Sequence, residues 1–468
     1  MNAELSIDDM QYAMGDVQIT WEAFHRMQDK IQDQGLQTAY EIERKALLPT
    51  LEMESTGLRL DRSLIDEQVA DLTEERDSSL SSFIEMLDTE LPETDKLPRN
   101  EDGTINLNKK TSGSVRLGTK VFAGFNPGSS KQLLERFRLI GVEPCDPTGK
   151  PSVDKKYMAK WRHNSVVEPY LSWKRADKHL QMCQTLIKAQ DMEDGRIYAR
   201  FNQTGTFTGR YSSSTPNLQN VPRGAMRYAF KVEEGRALVD LDYGGMELRA
   251  ACCARIADEP AMRDAFNSGQ DVHRATAALM FGIPQDDVTD EQRRQAKGTN
   301  FGALFGSSAN GLVNYFMALG ITITLKEGEQ FLNAWLKAYP NIAKWHRQCK
   351  RMIEAGEPVR MVDGRRRYLV GEKERHTTFC NNTVQGSCAS AMKLAMYGIH
   401  SRMKTIDPSA RLVAQIHDEI LIECDETKAD DLLSLAESIM EQAGAEIFGD
   451  DIKMVAEGGI GDSWGAAK

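Results

Sequence analysis

Apolar positions along the chain change period, and the changes divide it. From the start to about residue 36 the pattern is that of a polar amphipathic helix, with Val17, Trp21, Phe24 and Met27 at helical spacing. A second helix is predicted over Tyr40 to Asp61, with Ile42, Leu47, Leu48, Leu51 and Met53 buried and a stop near Gly57. A third runs from Ser63 to about Leu91 on a stripe of Ile65, Val69, Leu72, Leu80, Ile84 and Leu87. Helices without intervening strand signals predict a projecting helical lobe. Pro92 to Phe125 interrupts it with prolines, glycines and the polar run Asn106-Leu-Asn-Lys-Lys-Thr. Ser129-Ser130-Lys131 then opens another helix, either as a simple N-cap or as a cradle of N–H groups for phosphate, and a helix from about Glu168 to Ala189 closes the lobe.

Strand signals begin at Arg196-Ile-Tyr-Ala-Arg-Phe and continue to Ala237-Leu-Val-Asp-Leu-Asp242. Residues 259 to about 355 are again helical, and strands return at Val359-Arg-Met-Val and around Asp418. The pattern predicts an α+β chain in which a discontinuous β-domain carries two helical lobes.

The 468 residues suffice for two or three domains or one multi-lobed enzyme, and 41% hydrophobic with 27% charged residues is ordinary for a soluble globular chain. No run reaches the ~18 apolar residues of a membrane span. The start, Met-Asn-Ala-Glu-Leu, lacks a signal-peptide pattern, so a cytoplasmic protein without membrane partners is expected, in the host cytoplasm if a phage encodes it. Eight cysteines with no Cys-x-x-Cys spacing are read as buried free thiols. A net charge of −11 excludes a protein that coats nucleic acid with its whole surface but permits a local basic channel. Candidate clusters are Lys155-Lys156 with Lys160 and Arg162, Lys174-Arg175 with Lys178, and Arg365-Arg366-Arg367, although charge runs commonly form solvated faces.

Two apolar runs, Leu412 to Ile416 and Ile420 to Ile422, flank His417-Asp418-Glu419 and predict a hairpin with acids at its tip. Alone, such a tip is a solvated turn. The strand that ends in Asp242 supplies a second acid, 176 residues earlier. Carboxylates on two strand ends, joined by the fold, make an oxygen-rich site suited to two Mg²⁺ ions and phosphoryl transfer.

Within the helical insertion, Arg293, Lys297, Phe301 and Phe305 are spaced by four and fall on one stripe, drifting ~40° per step. Arg293 to Phe301 spans ~12 Å along a helix, the reach from a triphosphate to a base. The same spacing also fits a surface helix with an aromatic core end.

Asp242-Tyr-Gly-Gly-Met-Glu-Leu-Arg, the Arg293-to-Phe305 helix and His417-Asp-Glu occur in the order of the three polymerase motifs of family A DNA polymerases, and the chain from about residue 40 resembles that family, the polymerase I type of bacteria and phages. Thr208-Gly-Arg210-Tyr-Ser-Ser, Pro216-Asn-Leu-Gln-Asn-Val-Pro222, Asp271-Val-His273, Gly364-Arg-Arg-Arg-Tyr and Asn381 to Gln385-Gly match further blocks. The resemblance implies a right hand: an antiparallel-sheet palm at 191–258 and 356–468, helical fingers at 259–355 and a helical thumb at 58–190 with an insertion at 92–125. It implies a template-directed DNA polymerase that adds deoxynucleoside triphosphates to a primer 3′ end and releases pyrophosphate.

By the same resemblance, Asp242, Asp418 and the Tyr243 carbonyl would hold two Mg²⁺ ions, with Glu419 assisting. His273, Arg293 and Lys297 would bind the triphosphate, and Lys297 would protonate pyrophosphate. Phe301 would stack on the incoming nucleotide, and Phe305, where tyrosine is common, would lie by the template base. Arg210, Gln385 and His417 would read the primer end and minor groove; Asn381 and Lys131 would also contact DNA. Glu247 would exclude a 2′-hydroxyl, although by position alone it could pair with Arg249. Gly244-Gly245 departs from the family's Ser-Gln.

Tyr12-Ala-Met-Gly-Asp16 resembles the last motif of a 3′–5′ exonuclease, so residues 1–57 are expected to be a remnant of that domain and a connector. The chain alone is then not expected to proofread: either a separate exonuclease chain, as a partner, completes residues 1–36, or the domain has been lost. The 92–125 insertion is either a plain loop or a processivity-factor site. Two other classes compete: a single-subunit RNA polymerase, which Glu247 and His-Asp-Glu oppose, and a non-catalytic nucleic-acid-binding relic, which intact Asp242, Asp418, Arg293 and Lys297 oppose.

Overall fold

The structure, a computed structural model, describes residues 6–107, 124–146, 149–318, 321–369 and 376–468. Part of the expected insertion, 108–123, therefore lies outside the described residues.

Helix α1 (Ile7–Asp33) is joined through Gly35 to α2 (Gln37–Thr56). Tyr12, Val17, Trp21, Phe24 and Met27 on α1 are all exposed. Burial on α2 departs from the sequence reading: Ala39, Ile42, Ala46, Pro49, Thr50 and Met53 face inward, whereas Leu47, Leu48 and Leu51 are about 60% exposed. At ~100° per residue the two sets occupy opposite arcs, and apolar content alone did not choose between them. Gly57 ends α2 with φ +67°, and a Cβ there would lie 2.9 Å from the Ile197 carbonyl.

Asp61 caps α3 (Arg62–Glu90) by accepting from the Ser63 and Leu64 N–H groups. This helix lies along α5 (Val167–Ala189), with the shorter α4 (Ser130–Leu139) across their far ends. Phe83, Leu87, Leu133, Phe137, Tyr170 and Trp173 form a core there, separate from the main one, which takes in Ile65 and Leu186 at the near ends. Ser129 caps α4 by accepting from Gln132 N–H, and Lys131 is exposed in the first turn of that helix.

A four-stranded antiparallel sheet holds the centre. Its strands are β1 (Arg236–Tyr243), β2 (Arg411–Ile416), β3 (Glu419–Asp425) and β4 (Ala456–Gly461), in the order β4-β1-β3-β2. Side chains alternate across β1. Tyr243 points to one face, where its hydroxyl donates to the Met440 carbonyl of α14 (Ala429–Phe448), and Asp240 and Asp242 point to the other. Between β1 and β2 the chain forms α6 (Met246–Cys252), α7 (Pro260–Asn267), α8 (Val272–Phe281), α9 (Asp290–Leu304), α10 (Ala309–Ala318), α11 (Leu325–Ala338), α12 (Pro340–Glu354) and α13 (His376–Arg402). Helix α9 packs on α6, which follows the Asp242 strand directly.

All eight cysteines are free; Cys145 is exposed rather than buried. No helix among the described residues is long and apolar enough to cross a membrane.

Candidate active site on the palm sheet

Asp242, at the end of β1, is the register partner of Glu419 on β3, and Asp418 precedes Glu419 in the turn. The two distant acids therefore meet through one pair of strands. The turn is tightly held. His417 takes φ +57°, its N–H donates to Gln219 Oε1 at 2.8 Å, and Gln219 Nε2 donates to the Gln415 carbonyl at 2.8 Å. Gln219 belongs to the Pro216–Pro222 block, so its motif was visible in the sequence but its clamping role was not.

Burial first, and then the charge of Asp418, pushes the Asp242 carboxyl up to about 6. Its Oδ1 is buried with no hydrogen-bond partner, and Lys468 Nζ stands 3.3 Å from Oδ2. Two half-buried carboxylates, one with an orphaned oxygen, form a donor set that a hard divalent cation would relieve. Among the described residues no three His, Cys, Asp or Glu side chains are arranged to hold an ion, so further ligands would be backbone or substrate oxygens.

Glu419, expected beside the ions, shares the face of its register partner Asp242 but is buried in a network of its own. It accepts from Arg227 Nη1 at 2.7 Å and Lys468 Nζ at 2.6 Å, and Arg227 lies 3.9 Å from the Trp464 ring. Burial raises the Glu419 carboxyl, but the hydrogen bonds from Lys468 and Arg227 outweigh it and hold it well below the carboxylate range. Buried Asp240, whose two carboxylate oxygens have no hydrogen-bond partner, is pushed up, by burial and then by the Glu419 charge. Asp240, Arg227 and Lys468 escaped the sequence reading, because only folding brings them together.

The helical side is assembled around Asp271. It caps α8 by accepting from the His273 and Arg274 N–H groups, and its Oδ2 receives Arg293 Nε at 2.6 Å. Thr289 and Gln292 start α9 with a capping box. Lys297 on that helix is exposed, and Phe301 is half-buried with its ring 6.0 Å from His273. Phe305 stands at the end of the stripe: the helix ends at Leu304, Phe305 is its cap, and Gly306 turns the chain with φ +75°. Burial lowers His273 to about 4, so the ring is neutral. Trp335 Nε1, a donor only, bonds Asn300 Oδ1 at 2.7 Å and so fixes that amide. Asn300 Nδ2 then donates to His273 Nδ1 at 3.0 Å, leaving the ring proton on Nε2.

Glu247 Oε1 accepts from Arg210 Nη2 at 2.6 Å and Gln385 Nε2 at 3.0 Å, joining three predicted residues. Arg249 instead bonds the Gly244 and Lys453 carbonyls, so the alternative pairing with Glu247 is not formed. Asn381 is half-buried one helical turn before Gln385. Lys131 is in the helical lobe, away from this group in the chain's layout. The Arg365–Arg367 cluster is consumed internally: Arg365 pairs with Glu43, Arg366 with the Gln34 carbonyl and Arg367 with Asn382. The other basic runs converge, with Lys155, Lys174, Arg175 and Lys178 lining a cleft of about 570 Å³ beside Asn220 and Pro222.

The profile of DNA polymerase family A matches residues 107–466. DNA polymerase I of Aquifex aeolicus is 33% identical over 348 residues, covering 72% of this chain and 58% of that protein. The thermostable DNA polymerase I of Thermus aquaticus is 33% identical over 384 residues, covering 76% of this chain and 44% of that one, so this chain spans about half the length of these relatives. The POL domain of Pol1 from M. smegmatis, solved in complex with DNA primer-template and dNTP, superimposes with a TM-score of 0.75 at 25% identity, covering 91% of this chain and 70% of that chain. A right-hand fold with an antiparallel palm sheet and a profile match across most of its length place this chain in DNA polymerase family A.

Proposed function

We propose that this chain is a template-directed DNA polymerase that extends a primer 3′ end with deoxynucleoside triphosphates. The observation that carries the reading is the β1–β3 register, which pairs Asp242 with Glu419 and so brings it to Asp418, while the helix bearing Arg293 and Lys297 packs on α6, just after β1. In this reading 191–258 and 356–468 are palm, 259–355 fingers and 58–190 thumb. Primed template DNA lies along the basic cleft of Lys155, Lys174 and Lys178.

Asp242, Asp418 and the Tyr243 carbonyl are the groups that would hold two Mg²⁺ ions. When bound, such ions lower the pKa of an attacking hydroxyl and neutralise a leaving phosphate. Arg293 and the neutral Nε2–H of His273 grip the triphosphate, and Lys297 delivers a proton to pyrophosphate. Phe301 supports the base. Glu247, fixed by Arg210 and Gln385, lies under the sugar and excludes ribonucleotides. Glu419 acts as scaffold for Arg227 and Lys468 rather than as a ligand.

We assign the exposed apolar residues of α1 to contact with an exonuclease domain, on this polypeptide or another, and the 92–125 stretch is either a plain loop or a processivity-factor site. Tyr12 and Asp16 stand one turn apart on the same helix, both exposed. Co-purification that restores Asp16-dependent exonuclease activity tests the first assignment.

Primer extension with Mg²⁺ and deoxynucleotides tests the main reading. Asp418→Asn should lower the rate by more than ~1000-fold with unchanged melting, because a preorganised charge-stabilising group is lost. Near-wild-type extension by that variant would refute the proposed site.

A further inference from the structure

Three acids share one face at the end of the palm sheet: Asp240, Asp242 and Glu419. Two cations answer them, and they are held differently. Arg227 is buried against Trp464, its guanidinium fixed to Glu419 by a bond of 2.7 Å. Lys468 reaches the same acids from a flexible stem whose side chain is 31% exposed, bonding Glu419 at 2.6 Å while standing 3.3 Å from Asp242 Oδ2.

The fold delivers that ammonium. A Cβ at Gly459 would lie 2.3 Å from the Ala467 carbonyl oxygen, and one at Gly461 would lie 2.6 Å from the Ala466 carbonyl carbon and the Ala467 nitrogen. The glycines of β4 thus let residues 466–467 lie flat against the strand. Trp464 and Ala467 are buried and anchor the segment on either side.

We propose that Lys468 is a positioning residue that competes with divalent ions for Asp242. Its ammonium holds the Asp242 and Glu419 carboxylates together until an ion takes the Asp242 oxygen, and then withdraws onto Glu419. Arg227 makes the exchange possible, because it keeps Glu419 neutralised whichever way Lys468 points. Lys468 thereby sets how tightly the site holds its ions. The inference rests on reading Asp242 as a metal ligand, so the test separates the two.

Mn²⁺ binding to the full chain, without DNA or nucleotide, is measured by electron paramagnetic resonance at constant ionic strength. Lys468→Met should bind Mn²⁺ tighter by on the order of tenfold, since a unit positive charge a few ångströms from the ion is removed. Lys468→Arg should stay near wild type, and Lys468→Gln, which keeps a hydrogen-bonding side chain, should follow Lys468→Met even if the latter folds poorly. Binding that is unchanged or weaker in the folded neutral variants overturns the proposal. Tight binding that survives Asp242→Asn overturns instead the assignment of Asp242 as ligand, and the competition with it.

Discussion

The acid half and the cation half of the candidate site are built by different rules. Asp242 and Asp418 sit where paired strands, the Gln219 clamp and the Arg227–Glu419 bond leave the backbone little freedom. Arg293 and Lys297 stand on one helix, the first held by a pair to Asp271 and the second exposed. An oxygen cage for small ions needs fixed geometry. Side chains that grip a substrate arriving and leaving at every cycle gain from long, hydrated stems that can follow it. Damage to the supports of the first half should therefore appear in folding as well as chemistry, and damage to the second in chemistry alone.

The sharpest way to break this contrast, after Asp418→Asn, is Arg227→Met. It leaves Glu419 buried with a weaker partner set and should cost about 3–5 kcal/mol in urea unfolding; a cost below ~1 kcal/mol would mean the acid half is not rigidly supported. Lys297→Met should instead lower kcat by ~100-fold, the usual yield of a positioned general acid, with unfolding unchanged. A large fall in stability there would erase the distinction. The smallest effect concerns pH. His273 is held at about 4, below its ordinary 6.5, chiefly by burial. The unfolded chain therefore binds the extra proton first, and the stability contributed by the neutral ring is complete above pH 6.5 and lost as pH falls toward 4. Between pH 7 and 5 this should remove up to ~2 kcal/mol. Urea unfolding at both values should show the loss in wild type and a flatter dependence in His273→Asn.

The motif-bearing parts of the site were legible because each is local. Strand alternation up to Asp242, a hairpin tip at Asp418 and four-residue spacing on α9 can all be read within a dozen positions. Lys468, Asn300 and Arg227 were not legible, since each gains its role from partners supplied by another element. The helices were legible in extent, but not always in facing. Leu47, Leu48 and Leu51 were apolar enough to suggest burial, and only the packing of Ala39, Ile42, Ala46 and Met53 shows which arc meets the sheet. The end of α9 was not legible for a different reason: spacing by four carries no information on where it stops, and Gly306, just after the Phe305 cap, decides that.

The separate core around Phe83, Phe137, Tyr170 and Trp173 makes the distal ends of α3 and α5 a cooperative unit of their own. Amide exchange there should follow a local opening free energy distinct from that of the sheet. The two long helices then serve as stalks, so the tip can swing as one rigid mass while their roots, at Ile65 and Leu186, stay anchored.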